Sequence, residues 1–131
     1  MRALIAEDEF LGRKILSTFL ATLFEVDVAV TGKEAVDAFT LAHEEGKPYD
    51  VILMDIMMPE MDGIQALTLI RAQEQEKKLR PPVKVIMTTA LDDPKTVIRS
   101  FHDGEASSYI VKPVRKEKLF EELQKLGFLA K

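Results

Sequence analysis

Five short apolar runs alternate along the chain with five stretches in which apolar residues recur every three or four positions. The first pattern predicts buried β-strands, and the second predicts amphipathic helices. Strands are predicted at 2–6, 26–30, 51–54, 83–87 and 109–111. Strict alternation of strand and helix favours a parallel sheet with right-handed crossovers, because each crossover helix must cover the sheet that it spans. We therefore expect an α/β domain with helices on both faces.

The limits of the predicted helices follow from capping and helix-breaking residues. The first helix begins at Glu9, and the second begins where Thr31 and Glu34 have capping-box spacing. The third follows Asp62-Gly63, the fourth begins at Asp93-Pro94 and ends near Gly104, and the last reaches nearly to Lys131. We interpret the charged run 71–80 as the solvated end of the third helix. Alternation at 26–30 predicts an edge strand, and the unbroken apolar run 51–54 predicts a central one.

Composition restricts the classes of function. The 131 residues are 47% hydrophobic, which suits one domain over 1–131 with no linker or second, output domain. The absence of cysteine excludes disulfides and thiolate metal sites, and no apolar run approaches the length of a membrane span. A net charge of -4 argues against nucleic-acid binding. We expect a cytoplasmic protein whose partners are other proteins.

Polar residues follow four of the five predicted strands. Glu7-Asp8 ends the first strand, Asp55 the third, Thr88-Thr89 the fourth, and Lys112 the fifth. Each alone has an ordinary structural explanation, such as a helix cap or a turn. The carboxyl ends of parallel strands lie at one edge of the sheet, where open α/β folds bind ligands. The set of residues therefore predicts a functional site at this edge.

Three carboxylates and one lysine at this edge suit phosphoryl transfer. Glu7, Asp8 and Asp55 would repel one another unless a cation lies among them, and oxygen ligands favour Mg²⁺ over calcium here. Asp55 would be the phosphoryl-accepting nucleophile. Lys112 could pair with one phosphoryl oxygen, and a threonine hydroxyl could donate to another.

The chain resembles the receiver domain of bacterial two-component response regulators over its whole length. The resemblance rests on Glu7-Asp8, 54–59 (MDIMMP), 61–63 (MDG), Thr88-Thr-Ala90 and 109–113 (YIVKP). It implies a doubly wound, flavodoxin-like sheet of order 2-1-3-4-5 and a cis peptide at Lys112-Pro113. It also implies that Asp55 is the phosphoacceptor and that Asp8, Glu7 and the Met57 carbonyl help to hold Mg²⁺.

Further roles implied by the resemblance concern switching and partners. Thr89, rather than Thr88, would contact the phosphoryl group, and Tyr109 would turn inward in response. The donor would be a sensor histidine kinase or a phosphotransfer protein. Output would go to an unknown downstream protein, or to a homodimer, through the face formed by the fourth predicted helix, the fifth strand and the last helix. Such a protein catalyses only its own phosphorylation and dephosphorylation.

Two alternatives belong to the phosphohydrolases and to the protein-interaction modules. An aspartyl phosphohydrolase typically carries a second aspartate two residues after the nucleophile, where this chain has Met57. An interaction module that works without phosphorylation would leave Asp8, Asp55, Thr89 and Lys112 without a purpose. Flavin binding, which the same fold also supports, is disfavoured by the acidic first loop, Glu7-Asp8-Glu9.

Overall fold

The computed structural model describes residues 1–90 and 105–129. Five parallel strands form one sheet in the order β2-β1-β3-β4-β5, as the sequence predicts. The strands are β1 (Arg2–Ala6), β2 (Glu25–Ala29), β3 (Val51–Asp55), β4 (Lys84–Thr89) and β5 (Ser108–Val111). Four helices are described: α1 (Phe10–Leu20), α2 (Gly32–Glu44), α3 (Gly63–Glu76) and α4 (Lys116–Lys125). The predicted helix between β4 and β5 lies outside the described residues.

Two apolar layers bury the two faces of the sheet. On one face, α2 and α3 contribute Phe39 and Leu67 to a cluster that includes Ile52 and Met54 of β3. On the other face, α1 and α4 contribute Leu20 and Leu119 against alternating strand residues. Every residue of β3 is buried, as a strand covered on both faces should be, and β2 lies at an edge. Both strand predictions are confirmed.

The ends of the helices differ in part from those predicted from the apolar pattern and the capping residues. At α2, Thr31 accepts a hydrogen bond from the Glu34 amide, whereas the full reciprocal capping box forms at Asp62 and Gln65 of α3. The prediction that the last helix reaches nearly to Lys131 is wrong. It ends at Lys125 because Gly127 adopts a φ of 94°, and the Phe128 amide bonds back to the Leu123 carbonyl.

The interpretation of 71–80 as a solvated helix end is also wrong in part. The side chain of Glu74 is buried, and its carboxylate accepts hydrogen bonds from Arg71 Nη1 at 2.8 Å and from the Val83 amide at 2.6 Å. Arg71 Nη1 also donates to the Val83 carbonyl at 2.8 Å. This pair therefore ties α3 to the segment that enters β4. None of the helices in 1–90 and 105–129 is both long and apolar enough to span a bilayer.

Candidate functional site

Parallel pairing brings the predicted residues to one edge of the sheet. Glu7 follows β1 directly, Asp55 ends β3, Thr89 ends β4, and Lys112 follows β5. Backbone bonds extend the ladder past the strand ends, from the Glu7 amide to the Ala29 carbonyl at 3.0 Å and from the Lys112 amide to the Thr89 carbonyl at 2.6 Å. The rigid sheet thus positions these side chains.

Lys112 joins the two buried carboxylates. Its Nζ lies 2.7 Å from Glu7 Oε1 and 3.0 Å from Asp55 Oδ2. Glu7 and Asp55 are 2% and 3% exposed, whereas Asp8 is exposed at the rim. One cation is therefore shared by two carboxylates that have lost most of their contact with water.

The loop after β3 is fitted closely to Asp55. The Gly63 amide donates to the Ile56 carbonyl at 2.8 Å, and a Cβ on Gly63 would lie 2.1 Å from the Asp55 carbonyl oxygen, so only glycine fits there. The Met57 amide donates to Asp55 Oδ1 at 3.2 Å. The loop therefore orients the carboxylate, and the Met57 side chain points out and is exposed.

The pKa values of Glu7, Asp55 and Lys112 depend on one another. Burial, followed by the hydrogen bond with Glu7, raises the pKa of Asp55 to about 7, against the opposing effect of Lys112. Burial also favours a higher pKa for Glu7, but hydrogen bonds with Asp55 and Lys112 outweigh it and hold the pKa below its usual value. For Lys112, hydrogen bonds to both carboxylates outweigh burial and raise the pKa. Negative charge is thus in excess here.

The acidic group has the composition of a site for a hard cation. Glu7, Asp8 and Asp55 each offer a carboxylate oxygen, and these three atoms lie within 4.8 Å of one another. Mg²⁺ prefers oxygen ligands and commonly uses one or two carboxylates together with water and phosphate oxygens. The residues present therefore fit Mg²⁺.

Comparison with known proteins gives the family. The family model described as "Response regulator receiver domain" matches residues 3–124. The chain belongs to the response regulator receiver domain family. Such domains are switches of two-component signalling rather than conventional enzymes. The resemblance seen in the sequence is thereby confirmed.

Individual relatives and structures agree with the receiver assignment. The response regulator protein VraR of Staphylococcus saprophyticus is 36% identical over 95% of the chain, which spans only 56% of that relative's length. The CheY of a CheX–CheY–BeF3–Mg complex from Borrelia burgdorferi is 30% identical, with a TM-score of 0.82 over 99% of this chain and 90% of the other. A complex of Ypd1 with the Ssk1 receiver domain of Saccharomyces cerevisiae matches with 27% identity and a TM-score of 0.84 over 97% and 88%. That the present chain has no output domain stays a prediction.

Two threonines end β4 of the receiver domain, on opposite faces of the sheet. Thr88 pairs in register with Asp55, so the two side chains lie on the same face of the sheet. Thr89 lies on the opposite face together with Met87 and with Tyr109, which pairs in register with Met87. Both threonines are buried, and Tyr109 is partly exposed. The choice of Thr89 over Thr88 stays a prediction, and strand alternation makes Thr88 its direct competitor.

The cis peptide bond that the resemblance implies is present, and Glu7 makes contacts that the sequence did not predict. The Lys112-Pro113 bond is cis, as expected. Arg13 Nη1 donates to the Glu7 carbonyl at 3.0 Å, and the Glu9 amide lies 3.3 Å from Glu7 Oε2. No motif marks Arg13, because its bond is to a backbone carbonyl, which is present whatever the side chain at position 7.

Proposed function

We propose that this receiver domain accepts a phosphoryl group on Asp55 from a phosphohistidine of a sensor histidine kinase or phosphotransfer protein. The observation that carries the proposal is the contact of Lys112 Nζ with Asp55 Oδ2, at the end of a buried strand beside two further carboxylates. A nucleophile fixed on a strand is held in one orientation, which favours in-line attack. The partner classes are supported by the Ypd1 complex of a similar receiver domain.

The residues at the site have separate parts in the transfer. An Asp55 carboxylate oxygen forms the new bond to phosphorus, the phosphorus–nitrogen bond breaks, and the imidazole leaves with the electron pair. Lys112, already 3.0 Å from Asp55, is placed to pair with an oxygen of the transferred group. Glu7, Asp8, Asp55 and the Met57 carbonyl would hold Mg²⁺, which supplies charge neutralisation when bound.

The signal would pass from the acyl phosphate to the edge of the sheet. Phosphorylation adds about 1.5 to 2 negative charges, enough to attract a hydroxyl donor and bias a two-state element. We assign the donor to Thr89, whose carbonyl is tied to the Lys112 amide, and the moving aromatic to Tyr109. β5 is an edge strand, so a change in the conformation of Tyr109 would alter the surface that β5 forms with α4 and with the helix predicted between β4 and β5. That surface would bind a downstream protein or a second copy of the chain.

The proposal limits the catalytic role to the domain's own phosphorylation and its reversal. A phosphohydrolase would need an acid–base residue two positions after the nucleophile, and the exposed thioether of Met57 cannot serve. A phosphorylation-independent interaction module is disfavoured because buried Glu7 and Asp55 share the single ammonium group of Lys112, and this excess of negative charge is costly to a fold unless a further cation binds. A cytoplasmic location stays a prediction.

Incubation with acetyl phosphate and Mg²⁺, followed by intact mass measurement, tests the proposal. We expect one phosphoryl adduct on the wild type and on Asp37→Asn, a control at an exposed aspartate of α2, and none on Asp55→Asn. Thr89→Ala should slow adduct formation by about tenfold or more, the effect of losing one hydrogen bond to a charged group, and Thr88→Val should not. An equal adduct on Asp55→Asn would refute the central proposal, and the reverse order of the threonine variants would move the donor role to Thr88.

A further inference from the structure

Among the glycines of 1–90 and 105–129, Gly12 is the one that lies within a helix beyond its first residue, where glycine is the least favourable residue apart from proline. Gly12 is the third residue of α1. A Cβ built on it would lie 2.9 Å from Glu7 Oε1 and 3.2 Å from both Glu7 Cδ and Cγ. The space that any other side chain at this position would need is therefore already filled by Glu7.

Glu7 has little freedom to move aside. Its side chain is buried, Oε1 accepts from Lys112 Nζ at 2.7 Å, and Oε2 accepts from the Glu9 amide at 3.3 Å. Its main chain is fixed as well, because its amide bonds to Ala29 and its carbonyl to Arg13. A methyl group on residue 12 would therefore displace the carboxylate from Lys112 and from the neighbouring acidic side chains.

We propose that Gly12 is a positioning residue that leaves room for the Glu7 carboxylate in the Mg²⁺ site. The inference rests on the proposed metal site and adds a dependence of that site on α1. Glutamate is one methylene longer than aspartate, so the longer acid at position 7 and the missing side chain at position 12 belong together. A shorter acid at position 7 should make a methyl group at position 12 harmless.

A comparison in two backgrounds tests this dependence. Gly12→Ala is made in the wild type and in the Glu7→Asp background, and Mg²⁺ affinity is measured from the backbone NMR shifts of residues 7–10. We expect Gly12→Ala to weaken Mg²⁺ binding by about fivefold in the wild type and by less than about twofold in the Glu7→Asp background, the coupling expected of contacting residues. Ser17→Ala, a control on the same helix, should leave the affinity unchanged in both.

A metal-free measurement separates this inference from the proposed function. The ¹⁵Nζ resonance of Lys112 reports the contact with Glu7 without Mg²⁺, and it should shift in Gly12→Ala but not in Ser17→Ala. Equal effects of Gly12→Ala in the two backgrounds, or none in either, would overturn the coupling. If the wild type shows no saturable response to Mg²⁺, the metal site fails, and an unchanged Lys112 resonance would then overturn the positioning role as well.

Discussion

Two buried carboxylates at the site share a single ammonium group. Glu7 and Asp55 carry two negative charges against one positive charge on Lys112, and Asp8 adds a third negative charge at the rim. Burial, followed by the hydrogen bond with Glu7, raises the pKa of Asp55 to about 7, and hydrogen bonds to both carboxylates raise the pKa of Lys112. Near neutral pH a proton and a divalent cation therefore compete for the same carboxylate. The metal-free site is built to take up positive charge.

Tyr49 is the clearest case of a single residue whose protonation affects stability, and it lies near the amino ends of the strands. Burial, followed by the hydrogen bond from its hydroxyl to Asp27 Oδ2 at 2.7 Å, raises the pKa of Tyr49 to about 12. A pKa raised in the folded state means that the stabilisation is complete below the unfolded value of about 10 and is lost as the pH rises from 10 to 12.

We therefore expect Tyr49→Phe to depend on pH in a defined direction. At about pH 8 the variant should be less stable than the wild type by about 1 kcal/mol, because one hydrogen bond is lost. At about pH 11.5 the difference in stability between the two proteins should shrink or reverse. Only the wild type has a Tyr49 hydroxyl that can lose its proton, so only the wild type loses this stabilisation as the pH rises. Urea unfolding at the two pH values measures the difference. A gap that stays constant between them would contradict the assignment.

At the scale of elements, α3 and β4 are joined by buried charges. Arg71 and Glu74 bond to each other and to both backbone groups of Val83. Arg71 also donates to the Glu105 carbonyl through Nε at 3.2 Å and Nη2 at 3.0 Å, just before β5. The end of α3 thus fixes the entrances of two neighbouring strands.

Removal of this connection should cost much of the marginal stability of a domain of this size. Glu74→Ala leaves the Val83 amide unsatisfied and removes one partner of a buried pair, so we expect a loss of about 3 kcal/mol. Glu76→Ala, an exposed position two residues on in the same helix, should change stability by less than about 0.5 kcal/mol. Urea denaturation of both variants makes the comparison. Similar small losses for the two would show that the connection is not stabilising.

The sequence predicts elements better than it predicts the contacts between them. Apolar periodicity placed all five strands, because burial on one or two faces imposes the pattern directly. It could not separate Glu74 from the exposed charges beside it, because a charged side chain looks the same whether it faces water or a backbone amide. Likewise, the close approach of Gly12 to the Glu7 side chain depends on packing between a loop and a helix, so the apolar pattern did not identify Gly12.

At the scale of the whole molecule, the two rims of the sheet have different compositions. The amino ends of the strands carry paired charges, with Arg2 Nη2 2.6 Å from Asp27 Oδ2 and the Arg2 guanidinium over the Tyr49 ring. The carboxyl ends carry the acidic excess. The same core supports both rims. Relief of charge repulsion at the carboxyl-end rim of the folded protein should therefore raise the free energy of unfolding of the whole domain.

Binding of Mg²⁺ should therefore stabilise the domain against unfolding. A cation that binds only the folded state adds about 2.7 kcal/mol at a hundred times its dissociation constant. Asp8→Asn should remove most of this gain without unfolding the metal-free protein, because Asp8 is exposed, and Glu44→Gln on an exposed position of α2 should keep it. Urea midpoints in EDTA and in Mg²⁺ at matched ionic strength exclude simple screening. An equal gain in stability in Asp8→Asn would show that the cation binds elsewhere and that the acidic rim is not the metal site.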